Sequence, residues 1–181
     1  MNFRFRVRAD ESPYAFILLN IHFGGKLMDY YNASVNFGII RRRVQSLVVE
    51  ATMELGLTYS EFSLMLMLYD KEGCSQDDMT AFLHVDKAAI TRVIKILEKK
   101  GMLYRKRDKV DRRLKRLFLT EEGKKMEPII KDIVKKIMDY VAGGFSEAEG
   151  EFLIKGINIM ATRLGVADFE AVFGKKGSGV K

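Results

Sequence analysis

The fold is decided by residues 75–116, with the sequence SQDDMTAFLHVDKAAITRVIKILEKKGMLYRKRDKVDRRLKR. The first part predicts two helices, over residues 75–83 and 86–100, which about three residues separate. Ser75 and Asp86 are residue types that cap helix N-termini, and each stands where one of these helices would begin. Two short helices joined by so tight a connection predict a helix-turn-helix unit.

The second of these helices has two different faces. Apolar residues recur at spacings of three and four, which predicts that they pack inward: Ile90, Val93, Ile94 and Leu97. Small and basic residues lie largely on the opposite face: Lys87, Ala88, Thr91, Arg92 and Lys95. In the major groove of DNA, Arg92 can pair with a guanine edge, while Lys95 is better suited to phosphate. In isolation, the pattern fits a solvated surface helix equally well.

The rest of the stretch predicts a β-hairpin with a long basic tip, because residues 102–107 and 114–119 alternate partly in the manner of strands. The hairpin offers cations to the DNA backbone or minor groove: Arg105, Arg107, Lys109, Arg112 and Arg113. Asp111 is expected to hold the Arg113 guanidinium in a bidentate pair, although simple charge balance in a basic loop also explains it. At the start of the leading helix, Ser75 and Gln76 offer further contacts to phosphate.

The chain as a whole is predicted to be mainly helical, and the hairpin is its only predicted β element. Apolar periodicity and end signals predict about six helices in all. Beyond the two above, they are residues 34–55, residues 60–71 with Ser60 as the cap, one helix from Thr120 to a break at Gly143-Gly144, and residues 146–164.

Positive charge is concentrated in one segment of the 181 residues. The whole chain carries a net charge of +7, whereas residues 86–116 hold thirteen Lys or Arg against four acids, a net +9. The remaining residues therefore sum to −2. Such a block indicates a polyanionic partner, either nucleic acid or an anionic membrane surface.

The sequence argues against secretion, membrane insertion and enzymatic chemistry. Cys74 is the only cysteine, so no intrachain disulfide can form and a reducing, cytoplasmic environment is expected. The longest apolar run, residues 15–23, is too short for a membrane span. His22 and His84 have no metal-ligand spacing, and no nucleophile with a matching base can be assembled. Neither a metal nor another cofactor is expected.

An ordered set of motifs resembles the MarR family, bacterial and archaeal regulators named for multiple antibiotic resistance. After the helix-turn-helix come the run Leu97-Glu98-Lys99-Lys100-Gly101-Met102-Leu103-Tyr104-Arg105, then Asp111-x-Arg113, then Leu119-Thr120-x-x-Gly123. The resemblance covers roughly residues 34–164. It implies a winged helix-turn-helix fold and a homodimer, built from the terminal helices, that sits on a palindromic operator and usually represses it.

The resemblance also implies roles for single residues. In the family, the position matching Arg113 contacts the minor groove from the wing tip, and the position matching Asp111 orients it. The positions matching Ala88, Thr91 and Arg92 face bases. Candidates for the dimer interface, which fit an ordinary intrachain core equally well, are Phe145, Phe152, Leu153, Ile157, Phe169 and Phe173.

Many relatives are released from DNA by small phenolic or aromatic acids. Residues that could line such a pocket, each of which fits the core better, are Tyr30, Tyr31, Arg42, Met65 and Tyr69. Another branch of the family senses peroxides through a cysteine in its first helix. Cys74 stands instead before the helix-turn-helix, so a lone free thiol is the better interpretation.

These predictions divide the chain into regions. Residues 57–119 would form the winged domain, with residues 28–56 and 120–173 as the dimerisation region and residues 174–181 as a disordered tail. Residues 1–27 would be an extension outside the native protein, since codons for Gly24-Gly25 can form a ribosome-binding sequence before a start at Met28.

A winged helix that binds double-stranded RNA or a protein partner is the alternative function. A basic wing serves RNA phosphates as well as DNA phosphates.

Overall fold

Backbone contacts divide the chain into two units, Met1–Val48 and Val49–Lys181. The computed structural model describes residues 22–23, 26–27 and 30–174. Most of the expected N-terminal extension and nearly all of the expected C-terminal tail lie outside these residues.

The first unit contains a two-stranded hairpin and most of a long helix. Strand β1 (His22–Phe23) pairs antiparallel with β2 (Lys26–Leu27). Helix α1 (Tyr30–Thr52) begins four residues before the predicted start at residue 34. The prediction relied on apolar periodicity, and the described side chains of the first turn of α1, residues 31–33, are exposed.

A tight turn follows α1 and leads into α2 (Tyr59–Asp70). Thr52 is fully buried, and its hydroxyl donates to the carbonyl of Leu57 at 3.0 Å. Gly56 has a φ of +63°, a left-handed conformation that glycine adopts without steric cost. The sequence signal at Gly56 therefore marks the turn, although the helix itself ends before it.

Helix α2 is capped by Thr58 rather than by Ser60 as predicted. The Thr58 hydroxyl accepts the N–H of Glu61 at 3.3 Å, and the Glu61 carboxylate accepts the N–H of Thr58 at 2.6 Å. This reciprocal capping box needs Glu at the third helical position, which only a cap at residue 58 provides.

The predicted helix-turn-helix is confirmed. Helix α3 (Gln76–Leu83) is capped by Ser75, and α4 (Lys87–Lys99) is capped by Asp86. The Asp86 carboxylate accepts two backbone N–H groups of the first turn of α4, each at 2.9 Å. Between the helices, His84 turns the chain with a φ of +49°.

The predicted wing is confirmed as well. Strands β3 (Leu103–Arg107) and β4 (Lys115–Leu119) pair antiparallel along their whole length. A short backbone segment before α3 also joins β4, since the N–H of Gly73 donates to Leu117 at 2.8 Å and the N–H of Leu117 donates to Cys74 at 2.9 Å. The wing is thus tied directly to the start of the helix-turn-helix.

The winged region encloses its own core. Side chains from α2, α3, α4 and the hairpin meet there, and each is at most 3% exposed: Leu64, Met65, Leu68, Met79, Ile90, Ile94, Leu97, Leu103 and Leu117. Truncating a residue of this kind typically costs about 2–5 kcal/mol.

The single helix predicted after Thr120 is wrong, because the chain forms α5 (Glu121–Lys125) and then α6 (Glu127–Ala142). Pro128 stands in the first turn of α6. Proline has no N–H to donate to the carbonyl four residues earlier, so it ends the first helix and suits the start of the next. The predicted break after α6, at Gly143-Gly144, is confirmed.

The described chain ends with α7 (Glu147–Gly165) and α8 (Phe169–Phe173). The capping box predicted from Ser146 and Glu149 is present, with the Glu149 carboxylate accepting the Ser146 N–H at 2.8 Å. No side chain of α7 is buried. Among the described residues, no helix combines the length and apolar character needed to cross a membrane.

Candidate nucleic-acid interface

Helix α4 presents one face to the core and the other to the outside. Ile90, Ile94 and Leu97 are at most 3% exposed, and α4 packs against α2, α3 and β3. The residues predicted for DNA contact lie on the other face. Thr91 is half-buried, and the other four are exposed: Lys87, Ala88, Arg92 and Lys95.

Gln76 and Thr91 are hydrogen-bonded to each other. The side-chain amide of Gln76 donates to the Thr91 hydroxyl at 2.7 Å, and the Thr91 hydroxyl donates to the carbonyl of Lys87 at 2.6 Å. These hydrogen bonds join the start of α3 to α4.

Ser75 is not placed for the phosphate contact predicted from the sequence. Its hydroxyl donates to the Asp78 carboxylate at 2.8 Å and accepts the Asp78 N–H at 3.1 Å. Its backbone N–H also donates to that carboxylate, at 2.8 Å. Asp77 adds a second acid to the first turn of α3. A helix start occupied by carboxylates repels phosphate, so Ser75 is a capping residue.

Arg105 also departs from its predicted role at the DNA. Its Nε lies 3.2 Å from Oε1 of Glu98, and its side chain is only 22% exposed. Glu98 belongs to α4 and Arg105 to β3, so the ion pair joins the hairpin to α4. The Arg105 side chain is therefore less exposed than those of Arg107, Arg112 and Arg113.

The wing tip is organised by Asp108, which sequence analysis did not single out. One carboxylate oxygen accepts the N–H groups of Val110 and Asp111, at 2.8 and 2.9 Å. The other accepts the Nε–H of Arg116, and Nη1 of the same guanidinium donates to the carbonyl of Gly73 at 3.0 Å. The hydrogen bond from Arg116, followed by those from the two N–H groups, lowers the pKa of the Asp108 carboxyl to about 2.

A local signal could have identified Asp108, because Asp often binds backbone N–H groups two and three residues later in a turn. No local signal could have identified Arg116. Its contact with Gly73 spans 43 residues of sequence.

Asp111 holds Arg113 through the backbone rather than through the guanidinium. The Asp111 carboxylate accepts the backbone N–H of Arg113 at 2.9 Å. Within the described residues no ion pair joins the two side chains, which corrects the predicted bidentate pair. Asp111 still shapes the tip, while the guanidinium of Arg113 is exposed.

The thirteen cations of residues 86–116 fall into two groups. Four form ion pairs: Lys87, Lys100, Arg105 and Arg116. The other nine are exposed, and in the described part of the chain none of them forms an ion pair: Arg92, Lys95, Lys99, Lys106, Arg107, Lys109, Arg112, Arg113 and Lys115. Three of the nine lie on α4 and six on the hairpin, so both elements carry uncompensated positive charge.

An ion pair between Lys100 and a buried carboxylate anchors the C-terminal end of α4. The Nζ of Lys100 lies 2.7 Å from Oε1 of Glu61, which is 1% exposed, and donates to the carbonyl of Gly56 at 2.6 Å. Burial by itself would raise the pKa of Glu61, but hydrogen bonds from Lys100 and Thr58 and the charge of Lys100 bring the pKa below its ordinary value. Lys100 thus connects α4 to the turn after α1.

Two of the residues predicted to bind a small ligand, Met65 and Tyr69, belong to the second unit. Met65 is 0% exposed and belongs to the core of the winged region. Tyr69 is half-buried, and its hydroxyl donates to the carbonyl of Gly123 at 2.9 Å. Burial, and then the nearby charge of Glu127, raises the pKa of Tyr69, so the phenol stays protonated. Both residues therefore have structural roles.

The other three ligand candidates lie on α1. Tyr31 is 42% exposed, and Arg42 is exposed with its guanidinium beside Gly38. The side chain of Tyr30 lies outside the described part of the chain.

The environment of Cys74 does not activate its thiol. Burial, followed by the charge of Asp78, raises the pKa of the Cys74 thiol above its ordinary value. A reactive thiolate requires the opposite shift. Cys74 is half-buried between α2 and α3, in keeping with the predicted free thiol.

Comparison with known proteins finds a similarity to one family. Residues 57–115 match the MarR family model. The HTH-type transcriptional regulator YybA of Bacillus subtilis (strain 168) is 28% identical over 114 residues, which cover 63% of this chain and 76% of YybA. These relatives are regulators, so the expectation of a regulator rather than an enzyme is confirmed.

Solved structures of MarR-family proteins are also similar to this chain. A MarR transcriptional regulator from Methanosarcina mazei Go1 is 26% identical, with a TM-score of 0.67, and the match covers 75% of this chain and 96% of that one. A protein assigned to the MarR family from Listeria monocytogenes, solved in complex with a 26mer DNA, is 26% identical with a TM-score of 0.72, covering 80% and 96%. Over residues 57–115 the sequence matches the MarR family, and the described fold is similar to that of solved MarR-family regulators.

Proposed function

We propose that this chain is a sequence-specific DNA-binding transcription regulator. The observation that carries the proposal is the presence of two exposed basic elements, the outer face of α4 and the hairpin, on one compact unit. In a winged helix-turn-helix, the second helix enters the major groove while the wing reaches the backbone or minor groove. The DNA complex of the Listeria relative supports DNA as the polyanion. Such a regulator would act in the cytoplasm.

The exposed residues suit different parts of the DNA. On α4, Arg92 is proposed to contact a guanine edge, Lys95 a phosphate, and Ala88 allows close approach to bases. Lys87 can join them because its ion pair with Asp77, at 2.6 Å, is exposed on both sides, and such pairs are weak. On the wing, the minor groove and backbone contacts are assigned to Arg107, Lys109, Arg112 and Arg113, with Asp111 shaping the tip.

The proposal is tested by selecting bound duplexes from a random pool with the full chain. Enrichment of a palindromic sequence is the expected result. Affinity for that duplex is then compared with affinity for RNA of matching sequence over a range of salt concentrations. Equal affinities that fall together with salt would contradict sequence-specific DNA binding and favour the alternative of an RNA-binding winged helix.

We also propose that the chain is a homodimer, with residues 28–56 and 120–173 as the dimerisation region and residues 57–119 as the DNA-binding domain. Support comes from apolar side chains that the described chain leaves exposed on its C-terminal helices and the loop before α7: Ile129, Met138, Tyr140, Phe145, Phe152, Ile154, Ile157, Leu164 and Phe173. Exposed apolar surface on this scale favours burial against a second copy. Sedimentation of the full chain over a range of concentrations tests the assembly.

Repression, and release by a small ligand, complete the proposal and rest on the family. The buried position of Met65 and the hydrogen bond of the Tyr69 hydroxyl to Gly123 argue against them as ligand contacts, which leaves Tyr31 and Arg42 as candidates on exposed surface. The experiment titrates salicylate, an aromatic acid, into the complex with the selected duplex. Unchanged binding at saturating salicylate would rule out release by this ligand class, and transcription in vitro from a promoter overlapping the duplex tests repression.

A further inference from the structure

Thr91 lies in the middle of the outer face of α4, and its hydroxyl already has two partners within the protein. The hydroxyl donates to the carbonyl of Lys87 at 2.6 Å and accepts the side-chain amide of Gln76 at 2.7 Å. The side chain is half-buried. Its methyl group is the only part that these hydrogen bonds leave without a polar partner.

The direction of both hydrogen bonds follows from chemistry. A carbonyl oxygen cannot donate, so the single hydroxyl hydrogen of Thr91 must point to the carbonyl of Lys87. The hydroxyl then acts as acceptor toward Gln76, which places the amide nitrogen of Gln76 against it. Rotation of the Thr91 side chain would break both bonds at once, so its orientation is set before DNA arrives.

We propose that Thr91 contacts the C5 methyl group of a thymine and thereby selects a T·A pair in each half-site. The inference rests on the proposed function, because it requires α4 to lie in the major groove. There, thymine is the only base that offers a methyl group, and apolar side-chain atoms are the matching contact. Small neighbours such as Ala88, one turn earlier on the same face, leave room for this approach.

The experiment compares thymine with deoxyuridine, which lacks only the C5 methyl. Duplexes carrying the selected palindrome are made with deoxyuridine at one thymine position of each half-site in turn, and their affinities for the full chain are measured. At one position, the loss of the methyl contact is expected to weaken binding by about fourfold per half-site, which corresponds to the burial of about one methyl group.

Two variants separate the methyl group from the hydroxyl. Thr91→Ser keeps the hydroxyl, and its affinity ratio between thymine and deoxyuridine should fall to about one. Thr91→Val keeps the methyl and should retain the parental ratio even if its overall affinity changes. Thr80→Ser is the matched control, because the Thr80 hydroxyl also donates to a carbonyl four residues earlier, that of Gln76 at 2.9 Å, but lies on α3.

Every other outcome contradicts either the proposed methyl contact or the proposed function. A selected palindrome with no thymine sensitive to the methyl loss overturns the contact, as does a ratio that survives in Thr91→Ser or disappears in Thr91→Val. An altered ratio in Thr80→Ser would show a general effect of the substitution type and also overturns it. If no sequence is enriched at all, the proposed function itself fails.

Discussion

The winged region and the C-terminal helices use similar apolar side chains in opposite ways. In the winged region, Leu64 and Leu97 are 0% exposed, whereas no side chain of α7 is buried and Phe152 is 79% exposed. The local helix signals are equally good in both regions, since Ser75 and Ser146 each form a capping box. Local signals therefore specify where a helix begins, but they do not specify whether its apolar face is covered by the same chain.

The largest expected effect tests whether the core of the winged region stabilises the fold. Leu97→Ala should lower the free energy of unfolding by about 2–5 kcal/mol, because it leaves a cavity in a closed core. The adjacent Ile96 is 45% exposed, so Ile96→Ala is the control and should change stability by less than about 0.5 kcal/mol. Urea unfolding measures both, and similar losses for the two variants would contradict the core described for α4.

The role of the C-terminal helices in dimerisation is tested by measuring how assembly depends on protein concentration. Phe152→Ala should weaken dimerisation by about 2 kcal/mol or more, since a few aromatic side chains contribute most of the binding energy of many interfaces. Val110→Ala, at a wing-tip residue that is 96% exposed, should leave the dissociation constant of the dimer unchanged. Analytical ultracentrifugation gives the dissociation constants. An unaltered constant for Phe152→Ala would place the interface elsewhere.

A third prediction concerns DNA binding by the wing of the winged region. Arg113→Ala should weaken binding to the selected duplex by about 1–3 kcal/mol while leaving dimerisation unchanged. Lys125→Ala removes a cation that is paired with Glu122 on α5 and should have little effect on binding. Gel shifts that match the parent for Arg113→Ala would show that the tip does not contact DNA.

The smallest effect concerns pH. Because the pKa of Asp108 is lowered on folding, to about 2, the stabilisation from its ionised form is present above the ordinary Asp value and is lost only as pH falls toward 2. From pH 7 to pH 4 the wing tip should therefore be unchanged. Carbon NMR of the carboxyl group measures this pKa, and Arg116→Gln should return it toward the ordinary value. An ordinary value in the parent chain would mean that the Arg116 contact does not hold in solution.

The sequence by itself determined the helix-turn-helix, the hairpin and the concentration of charge. Caps such as Asp86 act on N–H groups within three residues, and the spacing of Ile90, Ile94 and Leu97 follows the helical repeat. The prediction of a single helix after Thr120 was wrong. Pro128 separates α5 from α6, because proline cannot donate the backbone hydrogen bond that a continuous helix needs there.

Only the tertiary structure decided which residues of the basic block remain free. From the sequence, Arg105 and Arg113 are equivalent cations of one hairpin, yet Glu98 on α4 holds Arg105 while Arg113 stays exposed. Likewise, Arg116 reaches Gly73 across 43 residues. The physical reason is range, since capping and periodicity act over a few residues, whereas the partner of a charged side chain depends on which distant segments the core brings together.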